Sequence, residues 1–341
     1  MIDGDIPLDT GGLPDWARGL FALPVAPIAD AGGGATGVWS MASEATEARI
    51  SEQFMAGAAQ YHARYSAAAH FEALFRQAVA ASRITVPTDP LILDLGSGSG
   101  VNSIVPCFAI FPGARQVATD LSAELLAMLA DYARHAGLAD RVICVRMDAM
   151  ASNQAMGRFD LVTGSAILHH LVHPRQGLMA AARALKPGGH AIFMEPFDGY
   201  GVMRLAYERI LIEAGLRHAP LPPLVEGTLR AMVTDIARRT MPDRTAPGFA
   251  DLDDKWLFSR EYFEQVGYSV GFSSVKFVPH NDHQTLFRDS ALVQIRLHTG
   301  QDDLSLPDWA VAVLDDHDDA LPPPVKRLLM LEGSVVLTKA G

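Results

Sequence analysis

The run Leu91-Ile92-Leu93-Asp94-Leu95-Gly96-Ser97-Gly98-Ser99-Gly100 constrains this chain more than any other stretch. Four apolar residues surround one acid, and three glycines then alternate with serines. An apolar run that ends in Gly-x-Gly-x-Gly reads as a buried parallel strand turning tightly into a helix, here from about Val101 to Phe111. Glycine permits positive φ and lets a ligand approach a backbone that carries no Cβ. The unpaired N–H groups of the following helix face the same place. The stretch therefore describes a seat for a nucleotide-like ligand at the carboxyl end of a strand.

Neither common nucleotide motif fits. A dinucleotide loop places its third glycine three positions after the second, whereas Gly100 follows Gly98 by two, and Asn102 stands near where a small residue would pack. A phosphate loop needs Gly-Lys-Ser/Thr, and no lysine is near. Asp120 ends the next strand, about 20 residues beyond the loop, where an acid accepts hydrogen bonds from ribose hydroxyls. Leu121 then lies against the base, and Ser122 caps a helix with Glu124 in its first turn.

Asp-x-Gly-x-Gly-x-Gly at 94–100, Phe-Asp-Leu-Val at 159–162, Leu-His-His-Leu at 168–171 and Leu-Lys-Pro-Gly-Gly at 185–189 follow one another in order. Together they resemble the class I S-adenosylmethionine-dependent methyltransferases, in the branch of the quinone-biosynthesis C-methyltransferases and small-molecule or natural-product methyltransferases. The resemblance covers residues 88–198. It implies S-adenosyl-L-methionine as cofactor, with S-adenosyl-L-homocysteine as product. It places Asp94, Gly96, Ser97, Gly98 and Asn102 around the methionine part. Asp120 and Leu121 then stand at the nucleoside, Asp148-Ala149 at the adenine amino group, and Ser165 beside the reactive end. In that family a helix before the loop folds over the cofactor, which brings in Tyr61 from a helix expected over Ser43 to Ala81. The implied fold is α/β, a doubly wound and mostly parallel seven-stranded sheet whose last strand is antiparallel, with helical lid insertions.

The expected organisation starts with an N-terminal arm and helical cap over 1–87 and a cofactor-binding core over 88–197. Residues 198–255 form a helical lid or acceptor-binding insertion, and 256–280 return a core helix and strand. A second insertion spans 281–332, and 333–341 supply the final strand. Residues 1–40 read as irregular, because Pro14, Pro24, Pro27 and Gly32-Gly33-Gly34 punctuate them. Two amphipathic helices are expected near 201–215 and 224–239, the second with a Val225, Leu229, Met232, Ile236 stripe that reads as core. Asp302, Asp303, Asp308, Asp315, Asp316, Asp318 and Asp319 give the second insertion an acidic face that reads as solvated.

Methyl transfer needs a positioned acceptor and excluded water, and a base only where the acceptor must lose a proton. His169 and His170 leave the fourth strand and Glu195 closes the fifth, so these three are the candidate catalytic residues, His169 first. His280-Asn281-Asp282-His283 reads as a surface loop, and no metal is expected. Asn/Asp-Pro-Pro-Tyr of amino-group DNA methylases is absent after the fourth strand, and Pro106-Cys107 sits too early to be a cytosine nucleophile. The formal charge of −11 without a basic cluster argues against nucleic acid. The expected partner is a small-molecule acceptor, with oxygen the first choice and nitrogen or carbon open. The alternatives are non-methyl chemistry on the same cofactor, such as cyclisation or decarboxylation, and nicotinamide oxidoreduction, which the glycine spacing opposes. No apolar run reaches the roughly 18 residues of a membrane span, and no secretory leader is read at the start. With two cysteines read as buried thiols, a cytoplasmic location is expected. The arm or the insertions are candidate surfaces for a homodimer.

Overall fold

The computed structural model describes residues 12–29, 35–41, 57–151, 154–217, 219–241, 243–245, 248–280, 284–301 and 304–341. The chain divides into two compact units. The first comprises Met1–Glu195, Glu261–Val278 and Ser334–Gly341, and the second comprises Pro196–Arg260 and Pro279–Gly333.

The first unit is built on one sheet. Its strands among the described residues are β1 (Val25–Ala29), β2 (Ala35–Met41), β3 (Leu91–Leu95), β4 (Arg115–Asp120), β5 (Val142–Arg146), β6 (Phe159–Ser165), β7 (Leu185–Pro196), β8 (Phe272–Pro279) and β9 (Glu332–Lys339). They stand in the order β1-β2-β5-β4-β3-β6-β7-β9-β8. Strands β2, β5, β4, β3, β6 and β7 pair in parallel, with Leu93 beside Val117 on one side and Val162 on the other. Strands covered on both faces read as near-continuous apolar runs, and Ile92, Leu93, Val117, Leu161, Val162 and Ile192 are fully buried. Lys339 Nζ donates to Leu185 O at 2.6 Å and the Ser273 hydroxyl to Thr338 O at 3.2 Å. The end of β9 thus meets the starts of β7 and β8, as a strand running against its neighbours must.

Nine strands replace the expected seven, because the arm is not irregular throughout. β1 and β2 form an antiparallel hairpin, and β2 continues the sheet alongside β5, with Val38 beside Cys144. Pro27 suggested a loop, but it lies in the edge strand, where a missing N–H is tolerated, and a register shift follows it.

Helices flank these strands: α1 (Ala58–Tyr65), α2 (Ala68–Ser82), α3 (Ile104–Ile110), α4 (Ala123–His135) and α5 (Pro174–Ala184), with α8 (Arg260–Ser269) returning later in the chain. The single helix expected over 43–81 is broken at Ser66-Ala67, and residues 42–56 lie outside those described. Two polar bonds explain the break. Ser66 Oγ turns back to His62 O at 2.6 Å, and the Ala67 N–H goes to Asn102 Oδ1 at 2.9 Å. Ser122 does cap α4, accepting the Leu125 N–H at 3.3 Å. Cys107 and Cys144 are free and buried.

The second unit is helical: α6 (Tyr200–Leu216), α7 (Pro223–Arg239), α9 (Leu286–Thr299), α10 (Asp308–Asp319) and α11 (Pro323–Leu328). The Val225, Leu229, Met232, Ile236 stripe is buried with Met203, Tyr207 and Phe287 in its core. One acid of the supposedly solvated face is also inside. Asp318 is buried and accepts the Phe287 and Arg288 N–H groups at 3.0 Å each, which satisfies the start of α9. Asp302, Asp303 and residues 281–283 lie outside the described residues. No helix among the described residues is long and apolar enough to cross a membrane.

Candidate active site

The glycine turn leaves β3 at the carboxyl edge of the sheet, beside the tips of β4 and β6. Gly96 has φ +69°, and a Cβ there would stand 2.5 Å from the Ile167 side chain. Only glycine meets both conditions. Gly98 has φ +53°, and a Cβ there would make only an ordinary contact with Leu125 at 3.9 Å, so nothing crowds this backbone.

Side chains pin this turn from below. Ser97 N–H donates to Thr119 O at 2.8 Å, while the Ser97 hydroxyl accepts the Thr119 N–H at 3.0 Å. Asp94 is fully buried, and its two oxygens accept the hydroxyls of Ser103 and Thr163 at 2.6 Å each. Burial pushes the Asp94 carboxyl up from 3.8 to about 6, against the pull of those hydroxyls.

Asp120 stands at the tip of β4. One carboxylate oxygen accepts the Gly98 N–H and the other the Ser122 N–H, both at 2.8 Å. Burial pushes this carboxyl up too, while the Ser122, Gly98 and Leu121 N–H groups pull it down. Three N–H groups on about four acceptor sites leave the carboxylate room for a further hydroxyl donor. Leu121 follows, with its carbonyl held by Arg146 Nε at 3.1 Å. Past β5, Asp148 and Ala149 are buried, and Asp148 Oδ1 takes the Met150 N–H at 2.8 Å.

The exit from β6 brings two histidines up to the buried end of β7. Ser165 Oγ donates to Asn102 O at 3.2 Å, tying this exit to the glycine turn. Ala166 takes φ +58° and redirects the chain into a short 3-10 turn, Leu168–His170. Glu195, 2% exposed on β7, accepts N–H groups from Ile167, Leu168 and His169 at 2.7 to 3.2 Å. Its Oε2 also meets His169 Nδ1 at 2.7 Å. A carboxylate only accepts, so Nδ1 carries the proton and Nε2 is the basic nitrogen. The His170 ring lies tilted against that of His169, with centroids 4.0 Å apart and planes 43° apart.

Asn102 and Ser165 thus bind protein groups at the seat's rim. Tyr61 lies on α1, and its side chain is outside the described residues. From the same helix His62 Nδ1 meets Ser99 Oγ at 2.7 Å, so α1 touches the glycine turn through a residue the sequence did not single out. Thr163 and Ser103 were missed as well. Thr163 had a signal, because it stands beside Asp94 once β3 and β6 are paired.

Residues 92–189 match the family described as "Methyltransferase domain". An uncharacterized protein of Synechococcus sp. is 35% identical over 129 residues, covering 38% of this chain and 31% of that protein. The ubiquinone biosynthesis O-methyltransferase of Methylococcus capsulatus is 33% identical over 101 residues, covering 30% of this chain and 41% of that enzyme. The chain therefore spans less than half the length of these curated relatives. Among solved structures, Phospholethanolamine N-methyltransferase 2 of Haemonchus contortus aligns over 84% of this chain and 58% of its own, at 16% identity and a TM-score of 0.48.

Proposed function

We propose that this chain, whose residues 92–189 match a methyltransferase domain, is a class I S-adenosylmethionine-dependent enzyme that transfers a methyl group to a hydroxyl oxygen of a small molecule. The observation that carries the oxygen assignment is the His169–Glu195 pair, held at 2.7 Å in the segment whose Ile167 packs on Gly96.

The seat fits the cofactor. The carboxylate of Asp120 would take a ribose hydroxyl, the uncrowded backbone at Gly98 would border the methionine part, and Asp148 with Ala149 would border the adenine. Asp94 would act from beneath, holding the turn through Ser103 and Thr163 and lending its charge to the ammonium end. When bound, S-adenosylmethionine supplies a methyl group activated by its sulfonium.

The chain's own groups do the rest. His169 Nε2 takes the acceptor hydroxyl's proton, and Glu195 compensates the imidazolium that forms. An imidazole base suits a phenol or enol, whose proton must leave as the oxygen attacks. Acceptor recognition is proposed for the helical insertion at 198–255.

The test incubates the protein with S-adenosylmethionine and two acceptor panels, phenols with enols against amines, and follows S-adenosylhomocysteine and product mass. Methylated hydroxyls are expected. Turnover confined to amines would overturn the oxygen assignment.

A further inference from the structure

The opposite edge of the same sheet holds a cavity of about 300 Å³. It is framed by the amino ends of β3, β4, β6 and β7, with Trp16 and Leu20 of the arm as a wall. That volume lies at the small end of ligand pockets, enough for a single-ring compound.

Its chemistry is cationic in a chain of net charge −11. Arg115 opens β4 and Arg158 precedes β6, and both line the cavity. Among the described residues neither guanidinium has a hydrogen bond or an ion pair. The third cation is already engaged: Lys186 Nζ donates to Asp160 Oδ1 at 2.7 Å, and Asp160 Oδ2 takes the Leu91 N–H at 2.9 Å. Asp89, the other acid of the lining, is turned against Gly113. Three cations against two carboxylates leave one net positive charge.

The wall is fixed rather than loose. Trp16 Nε1 donates to Asp140 O at 2.8 Å, and Leu20 O accepts the Ala155 N–H at 2.8 Å. An anchored indole beside two guanidinium forks offers a flat apolar face next to a planar oxyanion receptor.

We propose that this cavity is a second ligand site, at the edge of the sheet away from the glycine turn, that binds a small aromatic carboxylate. The two arginines take the carboxylate and Trp16 covers the ring. A single net positive charge matches a monoanion better than a phosphate dianion.

The probe is benzoate, titrated calorimetrically into the full chain, with inorganic phosphate as a second arm. Wild type is compared with Arg115→Gln, Arg158→Gln and Trp16→Leu, and thermal melts confirm that each variant folds. Saturable benzoate binding is expected, weakened about tenfold or more by either arginine variant. Saturating S-adenosylhomocysteine should leave it unchanged, and the variants should keep wild-type S-adenosylhomocysteine affinity, so that failure here is separable from failure of the methyltransferase assignment. Absence of saturable benzoate binding overturns the proposal. So does equal binding in wild type and both arginine variants, displacement by S-adenosylhomocysteine, or binding of phosphate without benzoate.

Discussion

Nδ1 of His169 donates to Oε2 of Glu195 across 2.7 Å, and the two groups come from different strand tips, 26 residues apart. The carboxylate side chain is wholly buried and the imidazole 8% exposed, so the bond is shielded from competing water. His169→Gln should lower kcat on a hydroxyl acceptor by about 10²-fold or more, with S-adenosylhomocysteine affinity unchanged. Glu195→Gln should lower it too, because its amide no longer fixes the proton on Nδ1. The pH–rate profile is the discriminating readout. Wild type should lose activity on the acid side, and His169→Gln should lack that limb. An unchanged profile would show that the histidine moves no proton.

Gly96 and Ile167 make a second pair. Ala at 96 would be held at φ +69° with its Cβ 2.5 Å from Ile167. Left-handed backbone costs an alanine about 1 kcal/mol, and the overlap adds to it. Gly96→Ala should lower Tm by several degrees and weaken S-adenosylhomocysteine binding about tenfold or more. Adding Ile167→Ala should recover part of the Tm. Calorimetric melts and titrations read both effects, and wild-type behaviour of the single variant would contradict the close approach.

Burial places the Asp94 carboxyl at about 6 in the folded protein against 3.8 for the free group. The native state then binds more protons than the unfolded state between these values. Stability should fall as pH rises from about 4 to 6 and level off above, by up to roughly 3 kcal/mol from this residue. In Asp94→Asn that component should vanish because an amide does not titrate, while its oxygen still accepts one hydroxyl and the other hydroxyl can reverse its role. Denaturant melts across this range, read as the difference between the two proteins, check the sign. Identical pH slopes would contradict it.

Asp318 and Asp315 lie on the same helix but differ in burial. Asp318 is 2% exposed, receives two backbone N–H groups and lies 3.5 Å from the buried Lys326 ammonium, while Asp315 meets Arg288 near the surface. Asp318→Ala should cost about 3 kcal/mol, because it strands two N–H groups and a buried cation. Asp315→Ala should cost about 0.5 kcal/mol or less. Equal costs from urea melts would count against the capping role.

Much of the sheet was legible because parallel strands buried on both faces are written as apolar runs, as in Leu91–Leu95 and Phe159–Ser165. The glycine turn was legible for a similar reason, since Gly96 answers a local backbone demand. What escaped was set by distant partners. The break at Ser66-Ala67 depends on Asn102, which lies 35 residues further on. Pro27 reads as a breaker until its place at the sheet edge is known. Glu195 was readable as the end of a strand, but three N–H groups and an imidazole converging on it are a product of the fold. Nothing local separates Asp318 from the aspartates around it.

The central claim rests on Asp120, whose carboxylate is held by backbone N–H groups at the tip of β4 with room for a further hydroxyl donor. Calorimetric titration with S-adenosylmethionine, S-adenosylhomocysteine and NAD tests it most directly, in wild type and in Asp120→Ala. Saturable binding of the first two with affinity of order micromolar, no binding of NAD, and a loss of about 10²-fold or more in the variant are predicted. Binding of NAD, or no binding of either S-adenosyl compound to the folded wild-type chain, would contradict the account.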